Sequence, residues 1–181
     1  PAIWQELARA IYKEIKNGAK GVIVTHGTDT MAHSAAAVSF MIDTPVPIVF
    51  VGSQRSADRP SSDNAMNAVC AAAAAMGELG EVVVVMHATT NDDTCAIHRG
   101  TRVRKMHSSR RDAFRSLGVD PIGEVEYPSR KVTLSIDAVR RGTRTLALHD
   151  KLDPHCALVQ FYPGMAPEVL DKALDPFFTT K

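Results

Sequence analysis

Cysteine is scarce in this sequence, and long apolar runs are missing. The 181 residues contain three cysteines, Cys70, Cys95 and Cys156, which are widely spaced and form no C-x-x-C pair. Such spacing argues against the disulfide framework of a small secreted domain and favours a reducing compartment. No apolar run approaches the ~20 residues that a transmembrane helix needs, and no signal peptide is evident. The sequence therefore predicts a cytoplasmic protein without a membrane segment.

Neither sign of charge is in excess. The 21 basic and 20 acidic residues give a formal net charge of +1, so no strong overall field attracts nucleic acid or a membrane surface. The exception is the basic stretch "RGTRVRKMHSSRR" (99–111), in which six of thirteen residues are Arg or Lys. Such a stretch is typical either of a solvated face or of a docking surface for nucleic acid or protein, whose binding would be salt-sensitive. The sequence leaves both interpretations open.

Cofactor and metal motifs are also missing. The sequence contains neither a Walker lysine loop nor a G-x-G-x-x-G fingerprint, so it has no recognised motif for ATP. His87, His98 and His107 are spaced 11 and 9 residues apart, which matches no familiar zinc spacing. We interpret these histidines as side chains that line a polar loop edge, and we expect no metal and no cofactor in this chain.

What is present is an alternation of helical and strand patterns. Apolar spacing predicts three helices, and continuous apolar runs between them predict three buried strands. The helices cover residues 2–17, 31–42 and 64–76, and the strands cover residues 21–25, 46–52 and 81–87. Alternation of this kind predicts an α/β fold in which a Rossmann-like parallel sheet has helices on both faces.

The pattern changes in the second half of the chain. Residues 94–105 suggest a short hairpin around Gly100, and residues 155–174 predict a strand, a Pro-Gly turn and a helix. We expect an N-terminal α/β domain over residues 1–117, an irregular interdomain connection over 118–153, and the start of a second, smaller α/β domain over 154–181. Because the chain begins inside a helix and ends without completing an element, we expect a piece of a longer protein.

Polar side chains collect where the predicted strands end. The turn "HGTDT" (26–30) and the polar loops after the next two strands all follow carboxyl ends of strands, where parallel sheets bind their ligands. A threonine hydroxyl is a weak nucleophile that needs a neighbouring base. Thr28, Asp29 and Lys105 would supply a hydroxyl, a carboxylate and an amine, in a variant of the catalytic triad. The other interpretation is a helix-capping turn beside a solvated lysine.

Three motifs resemble those of a known family. "THGTDTM" (25–31) resembles the second threonine motif of the bacterial-type L-asparaginases. "VGSQRSADRPSSD" (51–63) and "HRGTRVRKMHSSRRDAF" (98–114) are similar to the asparaginase-like D subunits of the archaeal glutamyl-tRNA(Gln) amidotransferases. The first motif is common to the superfamily, whereas the two longer motifs separate the amidotransferase subunit from a free-standing asparaginase.

The resemblance also implies roles for individual residues. The family's Thr-Asp pair matches Thr28 and Asp29, and its catalytic lysine matches Lys105; these act beside the substrate amide, and the aspartate also holds the substrate's α-amino group. Ser53 matches a position whose backbone lies near the substrate side chain. The family's other catalytic threonine lies in a Gly-Gly-Thr-Ile motif on the first strand, and nothing in this sequence matches it. We therefore expect that strand upstream of Pro1, and we expect the 181 residues alone to be unable to complete amide hydrolysis.

The resemblance implies that the whole protein is the amidase subunit of an enzyme that converts Glu-tRNA(Gln) to Gln-tRNA(Gln). It would release ammonia from glutamine or asparagine, while a partner subunit of the E type would bind the mischarged tRNA, ATP and Mg²⁺. The family forms a homodimer of this subunit within a heterotetramer. Two alternatives stay open: a free-standing cytoplasmic L-asparaginase, and a catalytically inactive scaffold whose basic stretch docks RNA or protein.

Overall fold

The computed structural model describes residues 2–153, 156 and 158–174, which form four helices and ten strands. The helices are α1 (Ala2–Lys16), α2 (Met31–Met41), α3 (Asn64–Met76) and α4 (Pro167–Leu174). The strands before the chain midpoint are β1 (Val22–Thr25), β2 (Ile42–Asp43), β3 (Ile48–Val51) and β4 (Val82–His87). The later strands are β5 (Thr94–Arg99), β6 (Val103–Lys105), β7 (Phe114–Ser116), β8 (Gly123–Glu126), β9 (Val132–Leu134) and β10 (Ala147–Leu148).

A six-stranded sheet with the order β1-β3-β4-β5-β8-β9 forms the centre of the compact unit Ala2–Asp150. Strands β1, β3 and β4 are parallel, and every residue of β3 and β4 is buried. Residues of α1 and α2 pack on one face around Phe50 and Val84, and residues of α3 pack on the other face around Val49 and Val85. The predicted α/β fold, with helices on both faces of the sheet, is confirmed, because continuous apolar runs are typical of strands covered on both sides.

The sheet is mixed rather than wholly parallel, because β5, β8 and β9 run antiparallel to their neighbours. Only residues 88–93 connect β4 to β5. A connection this short permits an antiparallel return but no crossover, which needs a dozen residues or more. Strands β1 and β9 occupy the two ends of the sheet order.

The predicted hairpin around Gly100 is wrong. Strand β5 pairs with β4 and β8, whereas β6 pairs with β7 in a separate two-stranded sheet. Gly100 marks the point at which the chain leaves the central sheet, because its amide still donates to the Val82 carbonyl at 2.9 Å. A Cβ on Gly100 would lie 2.6 Å from Ser39 Oγ and 3.0 Å from Val82 O, so only glycine fits against α2 and β4 here.

The expectation of an irregular connection over residues 118–153 is wrong for the segment from Gly123 to Leu134. This segment supplies β8 and β9, which extend the central sheet beyond β5. Val125 is fully buried and packs in the core beside α3. The compact unit continues to Asp150, so residues 118–150 belong to the same unit as the parallel strands.

The described residues from Lys151 to Leu174 belong to a second unit, which we describe by itself. The predicted turn and helix are present: Pro163 and Gly164 form a turn in which Gly164 has φ +90°, and α4 follows. Of the predicted strand, residues 156 and 158–162 are described and form no strand, while residues 155 and 157 lie outside the described residues. Among the described residues, no helix is long and apolar enough to cross a membrane.

Candidate active site

Three polar loops meet at the carboxyl edge of the parallel strands. The turn 26–30 follows β1, the loop 52–63 follows β3, and the loop 88–93 follows β4. Strands β1, β3 and β4 are parallel neighbours, so their carboxyl ends lie at the same edge. This is the edge at which the sequence predicts a ligand site.

Lys105, Thr28 and Asp29 are in direct contact at this edge. Lys105 Nζ lies 2.8 Å from Thr28 Oγ1 and 2.7 Å from Asp29 Oδ1. The lysine side chain is only 14% exposed, whereas the aspartate side chain is 92% exposed. The structure therefore brings together the hydroxyl, amine and carboxylate that the sequence predicted as a set, with the amine sheltered and the carboxylate open to a ligand.

The hairpin of β6 and β7 positions the lysine. Lys105 pairs with Phe114, which is fully buried, and the amide of Met106 donates to the Ala113 carbonyl at 2.7 Å. The side chain of Lys105 is only 14% exposed, so its stem is largely buried while its amine reaches the turn 26–30. The hairpin thus delivers the amine to a turn that precedes it by 76 residues.

The charge of Lys105 affects Asp29 directly. The hydrogen bond from Lys105, together with its positive charge, lowers the pKa of the Asp29 carboxyl below its ordinary value. Asp29 is therefore ionised throughout the neutral pH range. An exposed carboxylate of this kind can bind the ammonium group of an amino acid while its other oxygen stays on the lysine.

The end of β3 packs directly beneath the turn 26–30. The amide of His26 donates to the Val51 carbonyl at 2.9 Å. A Cβ on Gly52 would lie 2.4 Å from the His26 carbonyl oxygen, 2.7 Å from Met31 Cε and 3.2 Å from Thr28 Cγ2. Glycine at position 52 therefore allows the backbone to approach the turn that carries Thr28.

We expect the substitution Gly52→Ala to displace this turn. The added Cβ meets a backbone oxygen, so the strain should lower the free energy of unfolding by about 1–3 kcal/mol. Urea unfolding of the full-length protein measures this effect. Gly27→Ala is the stability control, because an added Cβ there meets nothing within 4 Å; equal stability of the two variants would contradict the packing argument.

The hydroxyl of Ser53 lies within its own loop rather than beside Lys105. Ser53 Oγ is 2.8 Å from Asp63 Oδ1 and also contacts the Arg55 carbonyl. Burial disfavours ionisation of Asp63, but hydrogen bonds from the amides of Gln54 and Arg55 and from Ser53 outweigh this effect and lower the pKa of Asp63. Because Ser53 follows Gly52, its backbone still lies at the site edge, and its role toward a substrate stays a prediction.

The histidine interpretation is wrong for two of the three residues. His87 and His98 are buried rather than at a loop edge, whereas His107 is exposed. His87 Nδ1 lies 2.6 Å from Asn67 Oδ1, and His98 Nδ1 lies 2.9 Å from Ser116 Oγ. Sequence reasoning missed this burial because a histidine that is followed by polar or charged residues is typical of a loop edge.

Ion pairs neutralise much of the basic stretch. Four of its six cationic residues contact a carboxylate: Arg99 with Glu81, Lys105 with Asp29, Arg110 with Asp112, and Arg111 with Asp92. The carboxyl of Asp112 receives hydrogen bonds from two arginines, which lower its pKa to about 2 although burial opposes ionisation. The stretch is therefore better explained by internal ion pairs than by a free cationic surface for RNA.

Known proteins of the asparaginase and amidotransferase families are similar to this chain in sequence. The family model described as "Asparaginase, N-terminal" matches residues 1–139. The chain is 64% identical over 172 residues to the D subunit of the glutamyl-tRNA(Gln) amidotransferase of Methanosarcina barkeri, covering 95% of this chain and 41% of the relative. It is 63% identical over 168 residues to the protein of the same name from Methanosarcina acetivorans, covering 93% of this chain and 40% of the relative.

A solved asparaginase structure is similar to this chain in fold. The thermostable L-asparaginase from Thermococcus kodakarensis superposes with a TM-score of 0.80 at 33% identity, over 96% of this chain and 49% of that chain. The chain thus spans about two fifths of the length of the curated relatives that it matches. With a family model matched over residues 1–139, the chain belongs to the asparaginase family.

Proposed function

We propose that this chain is part of the amidase subunit of a tRNA-dependent amidotransferase, which releases ammonia from glutamine or asparagine for the conversion of Glu-tRNA(Gln) to Gln-tRNA(Gln). The contact of Lys105 with Thr28 and Asp29 carries the proposal. The identity of 64% with a protein named as the D subunit of such an enzyme supports the amidotransferase over a free-standing asparaginase, for which the solved relative is 33% identical.

The geometry supports a separate role for each of the three residues. Asp29 would bind the substrate's α-ammonium, and this contact would place the side-chain amide beside Thr28. Lys105, 2.8 Å from Thr28 Oγ1, would act in its neutral amine form and accept a proton from that hydroxyl as the oxygen attacks the amide carbon. The same proton would then pass to the departing nitrogen, so that the carbon–nitrogen bond breaks, ammonia leaves and the acyl group stays on Thr28 until a water molecule hydrolyses the ester.

Partners and location are part of the same proposal. A partner subunit of the E type would bind mischarged Glu-tRNA(Gln), ATP and Mg²⁺ and receive the ammonia, while this chain would hold no cofactor. The amidase would form a homodimer within a heterotetramer in the cytoplasm. Free ammonia is wasted, so amide hydrolysis should be slow until the partner and tRNA complete the site, as in other enzymes assembled by induced fit.

Ammonia release from the full-length protein tests the proposal. It would be measured with glutamine and with asparagine, in the presence and absence of the partner subunit, mischarged tRNA and ATP. Release that requires the complete mixture is the expected result. Rapid release from asparagine alone would instead favour a free-standing asparaginase. Absence of release from every mixture would favour the inactive scaffold.

We expect Asp29→Asn to act mainly on substrate binding. The amide keeps the shape of the side chain but loses the charge that would hold the α-ammonium. The KM for glutamine should rise by roughly tenfold or more, the effect of losing one charge-assisted hydrogen bond. Steady-state kinetics on the full-length protein provide the measurement, with Asp58→Asn, on an exposed loop residue, as control. An unchanged KM would exclude Asp29 as the ammonium ligand.

A further inference from the structure

A closed circuit of hydrogen bonds joins the loops that surround the catalytic lysine. It begins in the loop after β3, crosses the buried core beside α3, continues into the loop after β4, and returns through the segment that follows Lys105. Its side chains belong to Gln54, Asp63, Asn67, His87, Asp92 and Arg111. The described contacts place neither Asn67 nor His87 against Thr28, Asp29 or Lys105, so any effect on the chemistry is indirect.

The buried half of the circuit has a defined polarity. Asn67 Nδ2 lies 3.0 Å from the Gly52 carbonyl oxygen and 2.9 Å from Asp63 Oδ2, which uses both amide hydrogens. Asn67 Oδ1 must then accept, and His87 Nδ1 donates to it at 2.6 Å. Asp63, Asn67 and His87 are each 0% exposed, so water does not compete for these bonds.

The exposed half connects the histidine to the lysine segment. Because His87 Nδ1 already donates to Asn67, Nε2 can donate to Asp92 Oδ1, 3.3 Å away, only when the imidazole is protonated on both nitrogens; Arg111 Nη1 donates to the same oxygen at 2.6 Å. Gln54 closes the circuit, because its Nε2 donates to the carbonyl oxygens of Arg110 at 2.9 Å and His107 at 3.3 Å. The segment that begins just after Lys105 is thereby tied at both of its ends to the loops after β3 and β4.

The catalytic contact depends on two pieces of backbone that this circuit holds together. Thr28 packs against Gly52, and the Gly52 carbonyl oxygen accepts a hydrogen bond from Asn67 Nδ2. Lys105 precedes the segment that Gln54 and Arg111 hold. Movement of either piece would change the 2.8 Å distance between Lys105 Nζ and Thr28 Oγ1. Proton transfer is sensitive to such a change, because a displacement near 1 Å costs about 10²-fold in rate.

We propose that His87, acting through Asn67 and Asp92, is a positioning residue that fixes the separation of Lys105 and Thr28. The inference rests on the proposed amidase function and deepens it. Burying this polar circuit costs free energy of desolvation, whereas apolar side chains of equal volume would need no hydrogen-bond partners. Its directional bonds supply what apolar packing does not, namely a fixed distance between loops on different strands.

The test compares variants of the full-length protein. His87→Leu removes both bonds of the imidazole and should lower kcat for ammonia release by about 10-fold to 100-fold while KM changes by less than about threefold. His87→Asn keeps a donor where Nδ1 lies and should recover most of the loss. Val85→Ala is the matched control, because Val85 is fully buried on the same face of β4 but makes no circuit bond; its kcat should equal that of the wild type.

A second variant covers the case in which His87→Leu fails to fold. Gln54→Met, near the surface, removes the bonds to Arg110 and His107 and should lower kcat by about tenfold with KM unchanged. Wild-type kcat in Gln54→Met, or in a folded His87→Leu, would overturn the positioning role while leaving the amidase function intact. A wild-type protein that releases no ammonia would overturn both proposals.

Discussion

Replacing Lys105 with methionine is expected to lower ammonia release by about 10²–10⁴-fold, the range attributed to a positioned acid or base. Methionine keeps an unbranched apolar stem, one atom shorter because it lacks the amine, in place of a side chain that is only 14% exposed, so the β6–β7 hairpin should fold as before. What is lost is the amine that lies 2.8 Å from Thr28 Oγ1 and 2.7 Å from Asp29 Oδ1. The measurement is kcat on glutamine and on asparagine for the full-length protein in its complete reaction mixture.

Arg104→Met is the control for this experiment. Arg104 precedes Lys105 on β6, is exposed, and pairs across the hairpin with Arg115. The same change of a cation to methionine at this position should leave kcat unchanged. Undiminished release by Lys105→Met would exclude the lysine from the chemistry, whereas loss in both variants would show that the hairpin tolerates no apolar substitution.

Acid sensitivity is the second large effect that we expect, and it originates at His98. Burial, with a smaller contribution from the charge of Arg115, lowers the pKa of His98 to about 4. Within the described residues, His98 Nε2 has no hydrogen-bond partner, so no carboxylate compensates a second proton. The unfolded chain binds that proton near pH 6.5. Stability from the neutral histidine is therefore complete above pH 6.5 and is lost progressively as the pH falls toward 4.

The size of this loss follows from proton linkage. A pKa difference between about 6.5 and about 4 corresponds to about 3 kcal/mol in total, of which about 2 kcal/mol is lost between pH 7 and pH 5. Urea unfolding at these two pH values should show that His98→Gln loses about 2 kcal/mol less than the wild type. His33→Gln, at an exposed position of α2, should behave as the wild type does. An equal loss in all three proteins would mean that folding does not lower the pKa of His98.

The predictable part of the fold was the part in which local pattern and burial agree. β3 and β4 could be predicted because every residue in them is apolar or ends a continuous apolar run, as strands covered on both faces require. β8 could not be predicted, because Val125 is its one buried residue between two glutamates. Its place in the sheet depends on pairing with β5, which is a non-local contact.

The same distinction between local sequence pattern and non-local contact applies to the residues of the candidate site. Thr28 and Asp29 could be identified from a turn that carries more functional groups than a turn needs, whereas Lys105, 76 residues from Asp29, followed from the residues only as one of two open interpretations, which the resemblance then favoured. Asp63 and Asn67 gave no signal, because an acidic residue and an amide at the start of a helix are usually solvated caps. Only the packing of α3 against β3 and β4 reveals that both are fully buried.

Strand β1, at one end of the central sheet, has a consequence for how the compact unit behaves in solution. Its hydrogen bonds run toward β3, and within the described residues its outer backbone groups have no strand partner. The sequence Val-Ile-Val-Thr contains no proline or charge that would block pairing, and Ile23 is 43% exposed. Such an edge is a template for another extended chain. Residues 2–150 prepared alone should therefore self-associate as concentration rises, with the turn 26–30, which follows directly from β1, close to the contact.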